Sequence, residues 1–404
     1  MKKVLLASVA LVSFAAAAHA EDKVKLAIGG FAYETAGYAG NKANQGKVKF
    51  DSQDDVVVSF AGTSKLDNGL SVGVTVETFG TQRADSRATA ATGANSGVKR
   101  SYVSVSGGFG SLIAGEREDV GYIVHNSAPD VGALGLQDGV WHQWIVNPSD
   151  HRLYNVTTAS RYDARSNKLT YVTPAFAGLA AGVTYSSNIG RSTAGHTTIV
   201  SNNDLSGLVV TPGAAAGTTF GGDLGVAGLA YANKFGDISV KADAGVGQAS
   251  IVNLRVYQGG TQISAYGFTL GGSIFVRDVQ GDVGGNKSLA KAVGYGGASW
   301  DAGVSYATGP VSVSVGYFQD RSKDDAGLGG TSSTANALNN TKIAHTGAAD
   351  STKVWSLGAA YTVGAGVTWK NSVSYVDYKD GGRSTAAANS NKGTAVVTGV
   401  KVDF

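Results

Sequence analysis

The chain has 404 residues, with 58 Gly, 5 Pro, no Cys and a formal net charge of +3. That near balance excludes a nucleic-acid surface, which needs a clustered basic excess. The absence of thiols excludes a disulfide scaffold and suits passage through an oxidising compartment.

The first element is a leader. Lys2 and Lys3 precede an apolar run from Val4 to Ala18, and Ala18-His19-Ala20 supplies the small residues read by a signal peptidase. The expected division is a secretory leader over 1–20, cleaved before Glu21, and one domain over 21–404. The apolar run, about fifteen residues, is too short to span a bilayer, which takes roughly twenty. No Cys follows, so lipid attachment at a mature N-terminal Cys is excluded. Loss of Lys2 and Lys3 takes the +3 balance to +1, so charge effects are expected to be local.

Beyond the leader, hydrophobicity alternates at period two. Val24, Leu26 and Ile28 alternate with Lys23, Lys25 and Ala27. Val48, Phe50, Val56, Val58 and Phe60 oppose Lys47, Lys49, Asp51, Asp55 and Ser59. Across the turn Asp67-Asn-Gly69, a dipeptide type suited to positive φ, Leu70, Val72, Val74 and Val76 oppose Ser71, Thr75 and Glu77. Val246 to Lys291 is harder to divide, with Gly271-Gly272 as a candidate short turn. Trp300, Ala302, Val304 and Tyr306 then share a face, as do Val311, Val313, Val315 and Tyr317 across Ala307–Pro310. Trp355, Leu357, Ala359 and Tyr361 meet Val367, Trp369, Val373 and Tyr375 through Gly364–Gly366. Val396, Val400, Val402 and Phe404 end the chain in phase.

Mean hydropathy is −0.02, and no stretch after residue 20 is long enough for a membrane helix. A transmembrane barrel reconciles neutral average with strong alternation, because one face of each strand meets lipid and the other water. Connection lengths agree. Short ones (Asp67–Gly69, Gly107–Gly110, Thr173–Gly178, Phe235–Asp237, Thr308–Pro310, Gly364–Gly366) alternate with long polar ones (Gly37–Gly46, Asp85–Gly97, Glu118–Ser160, Asn188–Gly221, Arg321–Asp350, Asp380–Lys392). Short periplasmic turns and long outside loops are the outer-membrane plan. The fold class is therefore all-β, an antiparallel transmembrane barrel of about sixteen strands, each with about 24 residues including its connection. That size leaves an aqueous lumen.

Particular residues then resemble a family. Lys99–Gly115, reading KRSYVSVSGGFGSLIAG, is similar to a strand-turn-strand of Gram-negative trimeric outer-membrane porins, nearer the α- and β-proteobacterial type than the enterobacterial. Arg161-Tyr162, Asn167–Tyr171 and Thr173–Gly178 resemble the family's next hairpin, and the terminal Phe404 resembles its assembly signal. The resemblance implies a homotrimer of sixteen-stranded barrels with one pore per subunit. It implies that the third outside loop, here Glu118–Ser160, folds into the lumen, and that Asp85–Gly97 leans on a neighbouring subunit. Its partners would be outer-membrane lipid and lipopolysaccharide, the barrel-assembly machinery, and small hydrophilic solutes and ions. The long loop departs from the family pattern, carrying Trp141, His142, Trp144, His151 and Arg152 among few acids.

A diffusion channel needs charges where its lumen narrows. The candidate basic wall is Lys47, Lys49 and Arg100, with Arg117 at the loop's start. The candidate loop acids are Glu118, Asp119, Asp130 and Asp138. Trp141 and Trp144 could stack a sugar or anchor the loop to the wall. The expected function is passive diffusion of ions and small solutes, the alternative a channel selective for sugars or organic acids. No catalysis is expected, since no Ser or Asp nucleophile accompanies a His on one strand face. No cofactor or metal is expected either. His125, His142, His151 and His196 lack ligand spacing, and Gly285-Asn-Lys-Ser288 lacks the spacing of a phosphate loop. An appended adhesin domain would not fit the remaining length.

Overall fold

The computed structural model describes residues 24–42, 49–80, 97–136, 139–148, 151, 155–160, 166–187, 223–250, 254–279, 296–322, 349–379, 381 and 390–404. The expected leader and the centres of the long connections other than Glu118–Ser160 fall outside them, including all of the expected subunit-contact loop Asp85–Gly97 but its last residue. The strands are β1 (Lys25–Asn41), β2 (Phe50–Lys65), β3 (Ser71–Phe79), β4 (Val98–Gly107), β5 (Gly110–Glu116), β6 (Asn167–Val172), β7 (Leu179–Ser186) and β8 (Leu224–Phe235). The second half comprises β9 (Ile238–Ala249), β10 (Leu254–Ala265), β11 (Phe268–Val279), β12 (Gly297–Thr308), β13 (Val311–Ser322), β14 (Ser351–Gly364), β15 (Val367–Lys379) and β16 (Asn391–Asp403). Each pairs antiparallel with its sequence neighbours, and β1 pairs with β16 to close the barrel. Closure leaves no sheet edge, as hydrocarbon requires.

Alternation fixes which way each strand faces. Trp355, Leu357 and Val373 are 55%, 53% and 42% exposed, while their neighbours Val354 and Val376 are fully buried. A slip of one residue would exchange the two sets and turn lumen charges to lipid, at about 2–4 kcal/mol for a Lys or Arg near the midplane. Exposed aromatics gather at both ends of the outward faces: Tyr266, Phe268, Tyr361 and Trp369 near the short turns, Tyr185, Tyr257, Trp300 and Trp355 near the long connections. Such girdles match the headgroup zones.

All six expected short turns are present. The ambiguous region resolves differently from the candidate turn at Gly271-Gly272. Those glycines lie inside β11, and the reversal is at Tyr266-Gly267, both at positive φ (53° and 86°). Strand β1 also runs to Asn41, into the segment read as a long loop from Gly37. Gly37 and Gly40 supply no side chain to carry the alternation, so the apolar pattern fades before the strand does. At the seam, the Gly30 amide donates to the Phe404 carbonyl (2.9 Å) and the Phe404 amide donates back to Gly30 (3.1 Å).

Candidate functional site

The connection between β5 and β6 enters the barrel and lies along its inner wall. It begins at Asp119, whose carboxylate accepts the Tyr122 amide (3.1 Å) and caps a short helix, α1 (Val120–Val124). Val120 and Val124 pack on Leu224, Val226, Val256 and Phe275, which face inward from β8, β10 and β11. The chain then crosses β9 to β15. Asp243 accepts the Asn126 amide (2.6 Å), Asp301 the Ala128 amide (2.8 Å) and Ser372 the Leu134 amide (3.1 Å). A second helix, α2 (Trp141–Trp144), packs on Phe318 and Tyr378, and Val146 donates to Asn41 (2.9 Å) at the end of β1. The return passes Ser299, bonded by Asn155 (3.1 Å), and ends where Ser160 donates to Asp119 (3.0 Å). A segment with few repeating elements is therefore held by partners spread over most of the barrel.

Glycines on the wall make this flush contact possible. A β-carbon on Gly260 would stand 1.7 Å from the Asn126 carbonyl, and one on Gly358 would stand 2.6 Å from the Gly132 amide. Between loop and wall lies a buried polar chain. His125 Nδ1 meets Asp243 (3.1 Å), its Nε2 meets Thr158 (3.0 Å), and the Thr158 hydroxyl donates to Asp301 (2.7 Å), which also accepts Ser273 (2.8 Å). Buried polar groups of this kind rigidify what they join when every member is satisfied.

Charged side chains gather on the inner faces of β3 and β4 and of β15 and β16, on either side of β1 and β2 in the closed barrel. There Arg100 is bidentate on Glu118 (Nε 2.7 Å, Nη2 2.5 Å), and its Nη1 meets Glu77 at 2.5 Å. A register shift opposite Glu77 and Thr78 brings Lys99 to the same side, 3.9 Å from Glu77, with its ammonium over Phe31 (5.6 Å). Lys401 approaches the same ring at 4.9 Å and Lys370 lies 5.8 Å from Tyr33. Tyr33 donates to the Ala133 carbonyl (3.0 Å) and so ties β1 to the loop.

Among the expected site residues, Arg100 and Glu118 are in contact with each other, and Arg117 stacks its guanidinium over Tyr102 (4.9 Å). Asp119 is the buried helix cap, and burial pushes its carboxyl above the ordinary value of 3.8, against the pull of Lys168. Asp130 turns inward on its own loop, accepting the Gly132 (2.8 Å) and Leu136 amides, and Ser314 donates to it (3.2 Å). Lys49 is exposed just before β2, where its carbonyl accepts Ala39 (2.7 Å). Trp141 and Trp144 are 0% and 2% exposed, so neither indole offers a face to the lumen. Lys47, Asp138 and Arg152 lie outside the described residues. Sequence reasoning passed over Lys370 and Lys401, although each alternates with outward apolar neighbours. Lys99 carried no such signal, because the bulge reverses its phase. Among the described residues no group of three or more His, Asp or Glu could hold a metal ion.

A family model described as Gram-negative porin matches residues 7–381. An anion-selective porin from Comamonas acidovorans superposes with a TM-score of 0.52 at 17% identity, covering 95% of this chain and 100% of that one. OmpT of Vibrio cholerae, in a trimer form, gives 0.52 at 11% identity over 95% and 100%. The channel DcaP of Acinetobacter baumannii gives 0.56 at 12% identity over 94% and 97%. At such identities these likenesses speak for the fold alone. No curated protein sequence matches the chain.

Proposed function

The chain belongs to the Gram-negative porin family, and on that premise we propose that it forms a water-filled channel for passive diffusion of ions and small hydrophilic solutes. The observation that carries this reading is a closed barrel of sixteen strands whose β5–β6 connection lies along the inner wall. A barrel of that size has room for an aqueous lumen. The inlaid loop would narrow it against β3 and β4, where Glu77, Lys99 and Arg100 stand, and against β15 and β16, which carry Lys370 and Lys401. Paired charges of both signs there order water and filter by charge and size. In this reading Trp141 and Trp144 anchor the loop, Arg117 and Lys49 are rim cations, and Phe404 is the assembly signal that also staples the seam. The fold and family are those of channels without catalytic chemistry.

Assembly as a homotrimer is part of the proposal. Glu34 and Asp54 are Cα partners that face outward with Val400, halfway along β1 and within the first third of β2. Carboxylates there are disfavoured against lipid, which supports coverage of this face by a neighbouring subunit. A preference for anions has its own support: Lys99, Lys370 and Lys401 gather around Phe31 and Tyr33, with Glu77 and Asp403 beside two of them.

Liposome swelling tests the diffusion reading. Neutral solutes of graded size should enter at rates set by size alone. Rapid entry of one sugar or organic acid among solutes of equal size would replace this reading with a selective channel.

A further inference from the structure

The three carboxylates on the described part of the lumen loop are all engaged. Glu118 is clasped by Arg100, Asp119 is buried beneath α1, and Asp130 accepts the Gly132 and Leu136 amides. The side that the loop turns to the lumen is apolar instead. Val120 and Val124 pack on the wall, so Tyr122 lies on the opposite side of α1 with Ile123 beside it, both half-buried. Val131, also half-buried, follows where the loop crosses β13. In the closed order of sixteen, β8 and β9 beneath α1 stand opposite β16 and β1.

That opposite wall interleaves cations with rings. Tyr33 and Lys401 are Cα partners on the inner face. Lys370 is the diagonal neighbour of Lys401 across β15 and β16, at a spacing of about 7–8 Å. One ammonium lies 5.8 Å from the Tyr33 ring and the other 4.9 Å from the Phe31 ring. Asp403 pairs with Lys401 (2.6 Å), and Asp55 is the Cα partner of Tyr33 on its other side, in β2. The two surfaces meet at Tyr33, whose hydroxyl donates to Ala133, two residues past Val131.

A solute gains from both surfaces only if it carries an anion and an apolar body together. A carboxylate relieves the repulsion between two neighbouring ammoniums, and a ring beside Tyr33 and Val131 removes apolar area from water. We propose that this part of the lumen is a binding site for aromatic monocarboxylates, the ring lying on Tyr33 beside Val131 and the carboxylate between Lys370 and Lys401. Asp55 on the far side of Tyr33 repels the carboxylate, which fixes the way round that the solute lies. The inference rests on the diffusion reading and refines it: the site lengthens the stay of one class of solute and leaves the lumen open to others.

The test is single-channel recording at low salt with benzoate added on one side and, separately, acetate or benzyl alcohol at the same concentration. Benzoate is expected to interrupt the open-channel current briefly, more often at the polarity that drives anions in from that side. Acetate lacks the ring and benzyl alcohol the charge, so both should interrupt it far less. Lys370→Gln combined with Lys401→Gln should lower the frequency about tenfold, at about threefold for each partly exposed ion pair. Lys370→Arg with Lys401→Arg should restore it, and Lys353→Gln, which alternates outward on β14, should leave it unchanged. Acetate or benzyl alcohol acting as strongly as benzoate would overturn the proposal, as would wild-type interruption in the double Gln variant. A conducting barrel whose current benzoate never interrupts overturns this inference alone. A folded barrel without current overturns the diffusion reading along with it.

Discussion

Arg100 grips both carboxylate oxygens of Glu118, and through that clasp strand β4 holds the first residue pair of the lumen loop. The guanidinium is bonded to two carboxylates, since it meets Glu77 as well. Arg100→Gln removes the cation shared by both acids and, of the pair beside Glu77, leaves Lys99 alone. The partly buried clasp contributes on the order of 1–3 kcal/mol to holding the loop head. Under a salt gradient the reversal potential should shift towards cation preference, and open-channel noise should rise. An unchanged reversal potential would place this cluster outside the ion path.

Trp141 is the largest fully buried side chain, wedged between Phe318 and Tyr378 at centroid distances of 5.9 and 6.2 Å. Trp141→Ala should cost about 3–5 kcal/mol of loop anchorage and expose the loop to added protease while the barrel stays intact. Cleavage within the loop at the wild-type rate would contradict the anchoring role.

Two glycines give a matched pair. Gly260→Val must displace the Asn126 carbonyl and with it the bonds to Asp243, at about 1–3 kcal/mol. Gly225→Val has open space around its β-carbon. Thermal unfolding should drop for the first and stay unchanged for the second.

Asp119 gives a pH dependence of defined sign. Burial raises its folded pKa above 3.8, so its contribution to stability is full below that value and is lost as pH rises through the raised pKa. Asp119→Asn keeps a cap for α1 and cannot ionise. The variant should therefore gain on wild type as pH rises through this window, measured as the difference in unfolding free energy. A variant that loses stability relative to wild type as pH rises would contradict the burial argument.

Deletion of Phe404 removes the last bond pair at the β1–β16 seam. The amount of protein recovered in outer membranes should fall well below wild type, with barrels already inserted still conducting. Undiminished recovery would remove any assembly role from this residue.

The barrel was legible in the sequence because lipid and water impose opposite demands on alternate residues, and the phase of Val311–Tyr317 or Trp355–Tyr361 records that demand directly. It was less legible between Val246 and Lys291, where Gly259, Gly260, Gly271 and Gly272 supply no side chain to mark a face. Among the site residues, Arg100 was readable because its neighbours fix its phase. Glu118, Asp119 and Asp130 were readable only as loop acids. Their partners are Arg100, the Tyr122 amide with Ser160, and amides of the Asp130 turn itself, and no strand period reports such contacts. The burial of Trp141 depends on Phe318 and Tyr378, at 177 and 237 residues' remove, a relationship that alternation within one strand does not encode.

Single-channel recording from purified protein in a planar bilayer tests the central claim most directly. The account predicts large, weakly selective conductance steps, arriving in threes, with the reversal potential under a salt gradient on the anion side. A correctly folded barrel that inserts and carries no current would contradict it.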